Sequence, residues 1–202
     1  MTRYIFYIVV FIIGGSLSSA ALHLCLVHFK NAKEMAQYKN AVSQTKNLGK
    51  VLVVYYSLSG HTRDIAERIK AKTSADIYEI KLKEKISRFS IFYTSLIKCS
   101  KQLPELDGPP PDFESYDYIF VGSPVWAYTV CYPVLSFLEQ TDFKGKRVVP
   151  FSTQGSNAGK FEKDFASKAK NAIILQYQKF NNLSKKYDKD VDNKISVWLN
   201  GL

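Results

Sequence analysis

From Val51 to Tyr56 the chain carries an almost unbroken β-branched and aromatic run, and the residues after it change character at once. Such a run suits one strand buried on both faces, the condition of a parallel sheet. Ser57, Leu58, Ser59, Gly60, His61 and Thr62 follow, placing three hydroxyls and one unhindered glycine within six positions. Ile65, Ala66 and Ile69 then open a helical apolar stripe. A helix start offers unpaired N–H groups and the positive end of its dipole, so a loop of this make-up is suited to a phosphate without any lysine. The loop is neither GxxxxGK[ST] nor GxGxxG, which argues against a nucleoside triphosphate site or a Rossmann dinucleotide site. A cap on the helix by Ser59 or Gly60 would use the same residues.

The pattern repeats downstream. Residues 75–82 alternate as a half-exposed edge strand, and 89–101 place Phe89, Phe92, Tyr93, Leu96 and Ile97 on one side of a helix. After the break at 108–111, residues 116–121 form a third strand, and a helix over 132–140 has Pro133 in its first turn. A fourth strand spans 146–151, a helix 160–170 and a fifth strand 172–177, and Val191, Ile195, Trp198 and Leu199 recur at helical spacing near the end. Strands alternating with helices predict an α/β domain whose parallel sheet is covered on both faces, with its site at the carboxyl ends of the strands.

The first part of the chain is different. Tyr4 to Phe29 contains no Asp, Glu, Lys or Arg, and Tyr4 to Leu22 is almost wholly apolar or small, about the ~20 residues that cross a bilayer as a helix. Ser18 and Ala20 also satisfy a small-x-small cleavage pattern, so a signal segment is the rival to an anchor. Lys30, Lys33, Lys39, Lys46 and Lys50 lie beyond it, which favours an uncleaved anchor with the C-terminal domain on the cytoplasmic side; export after cleavage is the alternative. The expected division is an anchor or signal segment at 1–29, a basic juxtamembrane linker at 30–49 and a domain at 50–202. The net charge of +10 splits evenly: six basic residues and one acidic before residue 51, then 22 basic and 17 acidic. The later lysines are scattered among acids and no nucleic-acid module appears, so no nucleic-acid partner is expected. Cys25, Cys99 and Cys131 are odd in number and lack CxxC spacing, indicating neither a disulfide framework nor a zinc site.

Taken together, the loops after the first, third and fourth strands resemble those of the flavodoxin-like family, its short flavodoxins and flavodoxin-type FMN reductases. The resemblance spans roughly residues 50–202 and implies an open five-stranded parallel sheet in the order 2-1-3-4-5, with helices on both faces and one noncovalent FMN. By it, residues 57–62 wrap the FMN phosphate. Pro124, Val125, Trp126, Ala127 and Tyr128, within GSPVWAYTVCYPVLSFL, meet the isoalloxazine, and Thr153, Gln154, Gly155 and Ser156, within FSTQGSNAG, close the ring's other edge. Trp126 is suited to stack on a planar ring, Tyr128 is either a second stacking partner or a substrate-side aromatic, and Gly155 permits close approach or a positive φ. His61 is expected to offer its backbone N–H with its ring in solvent. No catalytic side chain and no metal ligand is assigned. Carrier flavodoxins are commonly acidic, whereas residues 51–202 are net +5. Two redox roles follow from the resemblance: a one-electron carrier docking on a partner protein, or a membrane-side enzyme moving electrons from NAD(P)H to a quinone-type acceptor. A flavin-free, membrane-tethered interaction module is the reading from another class.

Overall fold

The computed structural model describes residues 2–41, 46–86 and 103–202, with side chains from residue 19 onward. Its centre is the first apolar run: β1 (Val51–Tyr55) is buried at every residue. It lies between two parallel neighbours, β2 (Asp76–Glu79) and β3 (Tyr118–Trp126), with Val53 in register with Ile77 and Phe120. β5 (Arg147–Gln154) continues the parallel sheet beyond β3, and a two-residue strand, β4 (Thr129–Val130), folds back antiparallel on the end of β3.

Alternation along the strands divides the core into two halves. Val51, Val53 and Tyr55 join Phe120, Val149 and Phe151 under α2 (His61–Thr73) and α5 (Asp188–Asn200). Leu52, Val54 and Tyr56 join Ile119, Val121 and Val148 under α3 (Tyr132–Gln140) and α4 (Phe161–Lys168). Pro133 stands in the first turn of α3, where its missing N–H costs nothing. Val191, Ile195, Trp198 and Leu199 are all buried on α5, as their spacing predicts.

The α/β architecture with a covered parallel sheet is as expected, but the strand order differs. The path is β2-β1-β3-β5-β6, the last being Ile173–Ile174, with β4 beside β3 and β7 (Gln178–Asn181) beside β5, so the described residues form a sheet of seven strands rather than five. The expected fifth strand at 172–177 is two strands, β6 (Ile173–Ile174) and β7 (Gln178–Asn181), both parallel to β5. Pro150 accounts for the break. On the side of β5 facing this edge, the carbonyls of Val148 and Gln154 accept bonds from Leu175 and Asn182. By the two-residue alternation, Pro150 faces the same way and has no N–H to give, so the ladder is interrupted between the two short strands. The third and fourth strands also outrun their expected ends, carrying residues 122–126 and 152–154 as strand rather than loop. The helix expected at 89–101 lies outside the described residues.

A further helix, α1 (Thr2–Ala36), precedes the sheet. The basic segment expected to begin at residue 30 starts inside it, and Met35 and Tyr38 pack on the α2/α5 half of the core, Met35 being 2% exposed. Among the described residues no helix is long and apolar enough to cross a membrane. The Tyr4 to Leu22 stretch, expected to do so, lies except for its last four residues outside those whose side chains are described.

Candidate functional site

At the carboxyl edge of the sheet three connections meet. The first, 57–62, turns β1 into α2 through Gly60 at φ 94°, a left-handed conformation that glycine adopts without strain. The Ser57 hydroxyl accepts from the Gly60 N–H at 3.1 Å, and no side chain caps α2. The first amides of α2 therefore have neither intrahelical nor capping partners, and a Cβ built on Gly60 would meet nothing within 4 Å. Ser59 and His61 are exposed, and Ser57 and Leu58 half-buried. Thr62 is buried, its hydroxyl 2.8 Å from that of Thr153. This bond joins the first connection to the third.

The second connection is tighter than the sequence suggests. Pro124, Val125 and Trp126 belong to β3, and Trp126 pairs with Thr129 across a two-residue turn, Ala127 and Tyr128. Both turn residues have positive φ, 48° and 65°, the conformation of a type I′ hairpin turn that Asn and Gly usually supply. Holding two such residues there costs on the order of 1–3 kcal/mol each, a strain that concentrates at ligand sites. Lys160 N–H donates to the Tyr128 carbonyl at 2.7 Å, and the Thr129 hydroxyl donates to Asp164, so α4 holds the turn from outside. Tyr128 is 65% exposed. Trp126 is half-buried, with Tyr56 perpendicular at 5.8 Å and Tyr132 inclined at 6.2 Å, neither stacked in parallel on the indole.

The third connection begins inside β5. Thr153 and Gln154 are buried, and Gln154 donates to Asn181 at 3.1 Å and accepts from Ser152 at 2.8 Å, while Ser156 is half-buried and Gly155 exposed. The positive φ offered as one role for Gly155 is found instead at Gly159, which also lies against the chain's own backbone. Gly155 has no positive φ and open space around it, whereas Gly159 has φ 57° and a Cβ there would stand 2.3 Å from the Tyr128 carbonyl oxygen. Gly159→Ala is accordingly expected to cost about 1–3 kcal/mol, by combined strain and overlap, and to release the Tyr128 turn. Urea denaturation with limited proteolysis at the turn checks this, and an unchanged midpoint with unchanged cleavage would refute it.

Burial sets the protonation of the groups beneath the site. It pushes the Tyr56 phenol up to about 12, helped by Cys131 and Glu79. It pushes the Cys131 thiol up to about 12 against the opposing hydrogen bond from Ser123. Both stay protonated at neutral pH, so they lie beneath the site as neutral groups.

Two openings flank the first connection. One of about 440 Å³ is lined by Tyr56, Ser57, Leu58, Ile80, Leu82 and Lys85 among others. A smaller one, about 40 Å³, lies between His61, Thr153, Asn182 and Leu183. A hollow of about 280 Å³ at the opposite edge, around Phe113 and Phe143, is remote from all three connections. The arrangement suits a ligand with a phosphate at one end and a flat ring at the other.

Sequence reasoning missed Tyr56, Gly159, Asn181 and Asn182. Tyr56 read as the end of a buried strand. Asn181 ends β7 and Asn182 follows it, both beyond where the fifth strand was expected to end. Gly159 ends the FSTQGSNAG segment, where no local signal marks its contact with the Tyr128 backbone.

The Flavodoxin family model matches residues 50–200 of the chain. Among solved structures, a flavoprotein from Lactobacillus acidophilus NCFM in complex with FMN is 28% identical, with a TM-score of 0.58 over 65% of this chain and 93% of that one. The apo form of the flavoprotein from the same organism is 26% identical, with a TM-score of 0.54 over 70% and 97%. A protein from Bacteroides uniformis ATCC 8492 assigned as a flavoprotein is 26% identical, with a TM-score of 0.61 over 76% and 99%. No curated protein matches.

Proposed function

The chain belongs to the flavodoxin family, and from that premise we propose that it is an FMN-binding redox protein whose flavin lies at the carboxyl edge of the sheet. The observation that carries this is the convergence of the three connections, bonded to one another at Thr62–Thr153 and Lys160–Tyr128, around an uncapped helix start and a fixed indole. FMN supplies the redox chemistry when bound. The α2 amides, with Ser59 and Thr62, hold the phosphate; Trp126 and the Ala127–Tyr128 turn bound the ring; the β5 end carrying Thr153 and Gln154 supports its other edge. Neutral Tyr56 and Cys131 keep that floor uncharged. Titration of free FMN fluorescence with the purified full-length chain is expected to show binding at micromolar or tighter affinity. Absence of quenching would favour a flavin-free interaction module.

Removing the Ser59 and Thr62 hydroxyls separates a phosphate site from a helix cap. A hydrogen bond to a charged group is worth ~1.5–3 kcal/mol, so Ser59→Ala with Thr62→Ala should weaken FMN by at least about tenfold and riboflavin far less. Thr62 also bonds Thr153, so a common loss in both flavins measures that structural part. Equal losses throughout would remove the phosphate assignment.

The positive balance of residues 51–202 favours a membrane-side oxidoreductase, with NAD(P)H as donor and a quinone-type acceptor, over a carrier that docks on a protein partner. An anchor formed by the N-terminal residues fits the same reading. Its support is the 35-residue length of α1 and the absence of charged residues from Tyr4 to Phe29. The lysines that follow favour a domain on the cytoplasmic side. Cofractionation with membranes at full mass tests the anchor; a mature chain starting at Ala21 would establish export instead.

A further inference from the structure

We propose that α1 holds the flavin edge of the domain against the lipid headgroups, so that the flavin exchanges electrons with reactants reaching it from the membrane side. The inference rests on the reading that the uncharged N-terminal stretch sits in a bilayer, and adds to it an orientation. The direction of α1 is fixed by its contacts, taken in order. Asn31 accepts from Asn181, the last residue of β7, at 2.6 Å. Glu34 binds Lys194 in the middle of α5 at 2.6 Å, and the carbonyl of Tyr38 accepts from Asn193 at 2.8 Å. Lys46 N–H then reaches Asn200, the last residue of α5, at 2.7 Å, just before the chain enters β1 at the amino edge. The helix thus descends against the strands, and everything before Asn31 rises from the carboxyl edge, where the three connections meet.

The same contacts make the junction stiff and tie it to the site. Asn31 and Gln154 both bond Asn181, so one side chain links α1 to the end of the flavin-bounding strand. From residue 19 to 30 every residue is exposed except half-buried Val27. Leu22, Leu26 and Phe29 lie on one helical face and Leu24 on the opposite one, all 59–68% exposed. Apolar side chains on opposite faces suit lipid all round rather than a partner's groove along one stripe. The uncharged stretch is 26 residues, about 39 Å of helix at 1.5 Å per residue, against ~30 Å of hydrocarbon. Its last residue, Phe29, is two positions from Asn31. The hydrocarbon boundary therefore falls within about two helical turns, ~12 Å, of the carboxyl edge. Exposed Lys30 and Lys33 sit at that boundary, where anionic headgroups would meet them.

The test uses the full chain with Cys25→Ser and Cys99→Ser, carrying a fluorophore on Asn157→Cys beside the flavin connections or on Glu114→Cys at the opposite edge. Each is reconstituted into phosphatidylcholine–phosphatidylglycerol vesicles containing nitroxide-headgroup lipid. The probe at 157 is expected to be quenched several-fold more than that at 114, and Asn31→Ala with Glu34→Gln is expected to shrink the contrast. Equal quenching, or more at 114, overturns the orientation and leaves the anchor standing. Failure to float with vesicles, or self-association of the chain in their place, overturns both. Because the probe is not the flavin, neither result depends on FMN.

Discussion

Lys194→Met is expected to destabilise the protein by about 3 kcal/mol, the low end of the cost of breaking a buried ion pair. Lys194 is 2% exposed in its side chain; its ammonium lies 2.6 Å from Glu34 and donates to the Lys179 carbonyl at 2.6 Å, over the Phe180 ring. Methionine fills the space but strands the Glu34 carboxylate, whose side chain is only 18% exposed. Adding Glu34→Gln removes the stranded charge, so the double variant should recover most of the loss. Additive effects in the double-mutant cycle would show that the pair does not couple α1 to the domain.

The pH dependence of this difference has a definite sign. Burial pushes the Lys194 pKa below the ordinary 10.5, outweighing the hydrogen bond and charge of Glu34, which raise it. The unfolded chain then holds this proton to higher pH than the folded one, so this group's contribution to stability rises with pH in the window below 10.5. The advantage of wild type over Lys194→Met should widen between neutral pH and about pH 10 in paired urea titrations. A difference that narrows would contradict the assignment.

The second large effect belongs to Gly122, in the middle of β3. A Cβ there would lie 2.1 Å from the Phe151 Cζ, with two more ring atoms within 2.7 Å. The ring cannot swing aside: Phe151 is fully buried and packs edge-on against Trp198, its centroid 6.4 Å away. Gly122→Ala is therefore expected to cost about 3 kcal/mol, the upper part of the range for overpacking a core. Joining it with Phe151→Leu should cost less than the sum of the two single changes, because the shorter side chain vacates the overlapped space. Thermal unfolding of the four proteins checks this, and a single Gly122→Ala variant as stable as wild type would refute the reading.

The segment containing Gly122 is marked in the sequence by residue types and order, and the three connections meet where a parallel sheet puts them, at the carboxyl edge. Their internal structure was not legible. Residues 122–126 carry β-forming side chains next to Gly and Pro, so they read as a loop until the neighbour β5 is in place to extend the ladder. Ala127 and Tyr128 have no local preference for positive φ; the turn is imposed by Lys160 and Asp164 of a later segment. Pro150 sat in plain view, yet its effect on the neighbouring edge depends on which side of β5 its missing N–H faces.

The α/β class, the parallel sheet and the edge at which the three connections meet came from the sequence alone, because they rest on periodicity and turn chemistry, which act over a few residues. The docking of α1 did not. Lys194 lies beside buried Ile195 on α5 and reads as solvated, as a lysine almost always is. It is buried because Glu34, 160 residues earlier, arrives with a carboxylate and Tyr38 and Phe180 arrive with rings. A buried charge is stable only with partners that the fold supplies, so its position and the direction in which α1 leaves the domain were decided by tertiary structure.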